Sequence, residues 1–187
     1  MSIINIENFF DFDYTGPTNR IAYSKEDAEY KLKCIKSMQN LGMYISIDKA
    51  GNICGRLPAI FLKKQSLVIG SHTDSVKDGG QFDGPVGVYM ALKAIENFKN
   101  SNKSNQYGNI KAVIYACEES TRFSKACIGS SYLSDELTLE KLNKLKDKNG
   151  NTFPKVVSKY ITYLFSHFPN YGINPNHVSF TEFYWRT

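Results

Sequence analysis

At 187 residues with 42% hydrophobic content, the chain is long enough to build one sizeable core and fits a single globular domain. No apolar run approaches the ~20 residues that span a bilayer, and the start MSIINIENFFDFD lacks the basic opening and small-residue cleavage site of a secretory signal, so a soluble cytoplasmic protein is expected. The net charge of +5 comes from lysines scattered through Asn/Ser-rich loops, with an excess between Lys141 and Lys159; no helix-turn-helix or RNP-like pattern accompanies it, which argues against nucleic-acid binding.

Residues 1–18 carry Phe9, Phe10, Phe12 and Tyr14 with no clean period, the pattern of an N-terminal arm or short helix. From Ser24 a helix is well signalled. Asp27 three residues on resembles a capping arrangement, and Ala28, Leu32, Ile35 and Met38 form an apolar stripe that Gly42 ends. Met43 to Asp48 alternates as a half-buried strand, KAGN (residues 49–52) supplies a turn, and Ile53 to Leu57 pairs back as a hairpin.

Leu67, Val68 and Ile69 form a short apolar run of the kind that fills the centre of a sheet covered on both faces. His72 and Asp74 follow, two residues apart, so in extended backbone both side chains point the same way and the carboxylate can accept from the imidazole. That would fix the tautomer and free the other ring nitrogen for a metal. Gly79 and Gly80 let the loop turn back and bring Asp83 towards His72 as a helix opens at Gly84 and Pro85. Pro85 to Phe98 reads as that helix, with Val88, Ala91, Leu92, Ile95 and Phe98 on its buried stripe.

A polar loop from Lys99 to Asn109 leads into the strand-like run Ile110 to Cys117, which ends in Glu118 and Glu119. Adjacent carboxylates on a strand end face opposite ways, so one could bind metal while the other handles protons. An HxD or EE pair alone more often marks solvated loop polarity. Both at the carboxyl ends of successive apolar strands carry more weight, because ligand sites in open α/β sheets form there.

Ser134 to Leu145 has a helical look before the turn KDKNGN, and Val156 to Phe168 suits an aromatic-rich helix followed by a loop from Gly172 to His177. His167 and His177 have no acidic partner at ligand spacing and are expected to pack or face solvent. Cys34, Cys54, Cys117 and Cys127 show no CxxC spacing and sit in apolar patterns, as buried thiols do.

The stretches GSHTDSVKDGGQFDGPVGV and ACEESTRFSKACIGS resemble the metal-binding core of the M20 metallopeptidase superfamily. Within it they resemble the N-carbamoyl-L-amino acid hydrolase, allantoate amidohydrolase and β-ureidopropionase branch, with its pattern GSHxDxVxxGGxFDGxxGV and then EExxRF and a GS pair. The similarity covers roughly Asn19 to Leu142 and includes the AGN turn. It implies that His72 ligates one of two divalent ions, zinc or manganese, that Asp83 bridges both, and that Glu119 ligates the second. Glu118 would be the general base and Asp74 would orient His72. Arg122, Phe123, Gly129 and Ser130 match the motif without an assigned role.

The resemblance further implies a three-layer α/β domain with a mixed central sheet, here an incomplete zinc-peptidase-like catalytic domain. The branch has a metal-binding His after a segment comparable to VSFTEF; here Tyr184 stands near its place. Residues 1–187 are thus expected to be the N-terminal part of the catalytic domain, without the C-terminal half or the domain that dimerises the family. The implied reaction is metal-dependent cleavage of a C–N bond in a small N-carbamoyl or ureido substrate, not expected of this chain by itself. The alternatives are a peptidase of the same superfamily and a catalytically dead binding protein.

Overall fold

A computed structural model describes residues 3–57, 66–101 and 109–180. Its strands are β1 (Tyr44–Ile47), β2 (Ile53–Leu57), β3 (Ser66–His72), β4 (Asn109–Tyr115) and β5 (Val178–Phe180). They form a mixed sheet in the order β3-β4-β2-β1-β5, antiparallel at β1/β2 and β2/β4 and parallel at β3/β4 and β1/β5. The α/β class with a mixed sheet is therefore as expected, since the five-residue connection from β1 to β2 permits only an antiparallel pair while the β3 to β4 connection carries a helix.

The helices are α1 (Lys25–Asn40), α2 (Pro85–Lys99), α3 (Ile128–Leu133), α4 (Leu139–Asn143) and α5 (Phe153–His167). Ser24 caps α1 by accepting the Asp27 amide, and the stripe Ala28, Leu32, Ile35 and Met38 is buried. It packs on the sheet face that carries Ile45, Ile47, Ile53, Ala112 and Ile114, all nearly inaccessible to solvent. Along this face Gly55 approaches Met38 of α1, and Ser71 approaches Gly87 of α2 so closely that a Cβ on that glycine would stand 2.6 Å from the serine Cβ. Removing this much apolar surface from water, at about 25 cal/mol per Å², is the main force holding the layers.

Two expectations need correction, and one strand has no counterpart in the sequence reading. The run Leu67 to Ile69 lies in β3, which among the described residues is at the edge of the sheet and pairs with β4 alone, and Leu67 is 58% exposed. The span Ser134 to Leu145 is broken: α3 ends at Leu133, Asp135 has φ of +62°, and a new helix starts only after the Thr138 cap. A left-handed residue there stops helix propagation. The strand β5 was not foreseen, since a three-residue strand carries almost no periodic signal. The place of Tyr184 lies outside the described residues, as does most of the loop between α2 and β4. No helix among the described residues is long and apolar enough to cross a membrane.

The N-terminal arm folds onto the loop between β3 and α2. Thr18 pairs with Gly79 as an isolated bridge, Gln81 Nε2 donates to the carbonyls of Asp11 and Tyr14, and Phe10 lies 5.2 Å from Phe82 between ring centres.

Candidate metal centre

β3 ends at His72, where parallel pairing sets it beside Tyr115 of β4. The His72 ring is 3.0 Å through Nδ1 from the main-chain carbonyl of Asp74, so Nδ1 carries the proton and donates. Nε2, the other ring nitrogen, lies 3.8 Å from Glu118 Oε2. The expected partner, the Asp74 carboxylate, is 3.8 Å from Nδ1, too long for a hydrogen bond. Its hydrogen bonds go to the glutamate loop instead. Asp74 is fully buried and accepts the amides of Glu118 at 3.3 Å and Glu119 at 3.0 Å. It therefore positions the two glutamates, while its carbonyl positions the histidine.

Ligand-type atoms of His72, Glu118 and Glu119 all lie within 4.8 Å of one another. Strand alternation predicts that adjacent glutamates diverge, and they do not, because β4 ends at Tyr115 and the chain turns at Cys117, with φ of +51°. Asp83 stands outside this cluster. It is exposed in the bend before α2, where Gly84, with φ of +81°, packs its Cα against the His72 ring. The tight turn thus belongs to Gly84 rather than to Gly79 or Gly80, which have no left-handed φ.

The electrostatics fit a cation. Burial raises the Glu119 pKa, the Glu118, Asp74 and Asp83 charges add to the rise, and His72 opposes it. Burial also raises that of Asp74, reinforced by Asp27 and countered by Lys31 and by the two amide donors. An imidazole nitrogen facing two carboxylates forms a nitrogen and oxygen donor set of the kind that suits zinc or manganese. Cys127 Sγ donates to Glu118 Oε1 at 3.5 Å, whereas Cys34, Cys54 and Cys117 are buried free thiols. His167 stacks on Tyr163 at 3.9 Å and His177 lies 5.3 Å from Tyr44, both away from the cluster.

Two motif residues without an assigned role, Arg122 and Gly129, brace the segment that carries the glutamates. Arg122 donates to the Ala22 carbonyl and pairs with Asp147 at 3.6 Å, tying the glutamate loop to the entry of α1 and to the turn after α4. A Cβ on Gly129 would stand 2.1 Å from Asn52 Oδ1. Asn52, from the AGN turn, donates to the Gly129 carbonyl and to Asp48, and accepts the Ala116 amide. The turn therefore grips the end of β4 just ahead of the glutamates.

A family model described as peptidase family M28 matches residues 52–149. Its label differs from the M20 name that the motif resemblance gave. The relatives are of the expected branch. An N-carbamoyl-L-amino-acid amidohydrolase of Pseudomonas sp. (strain NS671) is 34% identical over 130 residues, covering 70% of this chain and 31% of the relative. An allantoate amidohydrolase of Escherichia coli (strain K12) is 31% identical over 148 residues, 77% of this chain and 35% of the relative. Among solved structures, a hydantoinase/carbamoylase family amidase from Burkholderia multivorans superposes with a TM-score of 0.72 at 28% identity, covering 78% of this chain and 35% of that one. The chain spans about a third of the length of these relatives.

Proposed function

Since the chain belongs to peptidase family M28, we propose that it forms the metal-binding part of an amidohydrolase cleaving a C–N bond of N-carbamoyl amino acids or related ureido compounds. The observation that carries this reading is the convergence of His72, Glu118 and Glu119 within 4.8 Å at the carboxyl ends of two parallel strands. The relatives' names, an N-carbamoyl-L-amino-acid amidohydrolase and an allantoate amidohydrolase, support a small carbamoyl or ureido compound as substrate. A divalent ion bound there supplies Lewis acidity to the scissile carbonyl and acidifies water. His72 offers Nε2 and Glu119 a carboxylate as ligands. Glu118 takes the proton of the attacking water and passes it to the leaving nitrogen, its other oxygen held by the Cys127 thiol. Asp83 as a bridging ligand to a second ion rests on the motif resemblance alone. The peptidase label of the family model favours a second reading, in which the same water attacks a peptide carbonyl.

The test loads the purified chain with Co²⁺ and with Mn²⁺, follows metal content and the Co²⁺ visible spectrum, and adds N-carbamoyl amino acids, allantoate and dipeptides. Binding of metal, and a spectrum perturbed by the carbamoyl compounds more than by dipeptides, is the expected outcome. Turnover by the chain alone is not expected, because His72 and Glu119 are fewer ligands than two ions need. Where turnover is seen, Glu118→Gln should lower it about 100-fold and keep the metal. Preference for dipeptides would favour the peptidase reading, and a chain that binds no metal would overturn both.

A further inference from the structure

Behind the candidate metal centre lies a buried ion pair that no part of the reaction above uses. Asp27 and Lys31, one turn apart on α1, meet at 3.0 Å with both side chains 0% exposed. Each Asp27 oxygen is engaged: Oδ2 accepts Lys31 Nζ and the Tyr23 amide, and Oδ1 accepts the hydroxyl of Thr73 at 3.1 Å. Lys31 Nζ also sits 5.3 Å from the Tyr160 ring centre and 6.0 Å from that of Tyr23, so aromatic faces close the cage around it. An ion pair in such surroundings seldom stabilises a fold more than apolar residues of equal volume would. Its retention calls for another account.

Thr73 is the residue between His72 and Asp74, and it is held at both ends. Its hydroxyl goes to Asp27, and its carbonyl accepts Arg20 Nε at 2.9 Å. The same guanidinium donates to the Gln81 carbonyl, two residues before Asp83, and stacks over Tyr30. Strand pairing ends at His72, and beyond it the turn is held by the Ser75 amide donating to the Arg20 carbonyl and by these bonds of Thr73. We propose that the Asp27–Lys31 pair, acting through Thr73, is a positioning device that sets the His72–Asp74 turn. It turns His72 Nε2 towards Glu118 and the Asp74 carboxylate towards the Glu118 and Glu119 amides. Its link to metal affinity rests on the metal-centre reading; its effect on the histidine ring does not.

Thr73→Val removes the hydroxyl and keeps the shape, and Thr73→Ser restores the hydroxyl. Asp27→Asn with Lys31→Met removes the pair without leaving a buried charge alone. Two readouts are taken beside the thermal midpoint: the ¹⁵N and ¹H signals of His72 without metal, and the Co²⁺ dissociation constant with its visible spectrum. Thr73→Val and the double variant should shift the His72 signals, weaken Co²⁺ binding about tenfold and alter its spectrum, with Thr73→Ser close to the parent. Unchanged His72 signals in a folded Thr73→Val chain overturn the proposal whatever the metal does. If the parent binds no Co²⁺ while the ring signals shift as expected, the positioning role stands and the metal-centre reading falls. Should Thr73→Val and the double variant both fail to fold while Thr73→Ser folds, the network is structural and the proposal is overturned.

Discussion

At the scale of single residues, the candidate site depends on backbone atoms as much as on the side chains its motif advertises. The His72 imidazole is oriented by a main-chain carbonyl and backed by Gly84, where a Cβ would stand 2.6 Å from ring atoms Cε1 and Nδ1. Gly84 also holds φ of +81°, a conformation that costs any other residue. Gly84→Ala therefore meets two penalties at one point, and the ring must swing to relieve the contact. We expect Co²⁺ affinity to fall about tenfold or more in titrations of the purified variant, with a drop in the thermal midpoint. An affinity equal to the parent's would mean that the ring can move without cost to the centre. The motif residues themselves were legible in the sequence; what they touch was not. Asp74 is the case in point, since the HxD spacing suggests a carboxylate bonded to the histidine, and only tertiary structure shows that carboxylate turned to the amides of residues 118 and 119.

At the scale of elements, α1, α2, the β1–β2 hairpin and β4 follow from periodicity and caps, because each buries a regular apolar stripe. The sequence was silent where geometry is set by contacts distant along the chain. Asp27 and Lys31 look like an ordinary surface pair at i, i+4, and their burial becomes evident only when Tyr23, Thr73 and Tyr160 close around them. Similarly, the arm's aromatic residues lack a period because they pack on the loop of Phe82 rather than on a helix of their own. The joint between the hairpin and α3 gives the clearest test of such contacts. Asn52 is fully buried and its amide group serves Asp48, Gly129 and Ala116 together. Asn52→Ala leaves those partners in the interior without it, and a buried polar group left unsatisfied costs ~1–3 kcal/mol. A loss of roughly 2–4 kcal/mol in urea unfolding, at an unchanged slope, is expected. A loss below ~0.5 kcal/mol would show that the joint is not held by this amide.

At the scale of the whole molecule, fold and candidate site are one object. The sheet order puts β3 and β4 side by side and parallel, so their carboxyl ends deliver His72 and the glutamate pair to one locus, and α1 packs behind the same region. Any cation that uses these donors binds the folded chain and has no comparable site in the unfolded one, which couples metal binding to global stability. The coupling can be sized. A ligand at a hundredfold excess over its dissociation constant stabilises the native state by ~2.7 kcal/mol. In a domain of this length each kcal/mol moves the midpoint by ~2–4 °C. Mn²⁺ at that excess should therefore raise the thermal midpoint of EDTA-treated chain by about 5–10 °C. His72→Ala should abolish the rise, and His177→Ala, which lies away from the cluster, should leave it intact. Asp83→Ala decides the remaining ligand. If it reduces the rise, Asp83 joins the centre when metal is present; if the full rise persists, His72 and Glu119 hold the ion without it, and the bridging role inferred from the motif has to be given up.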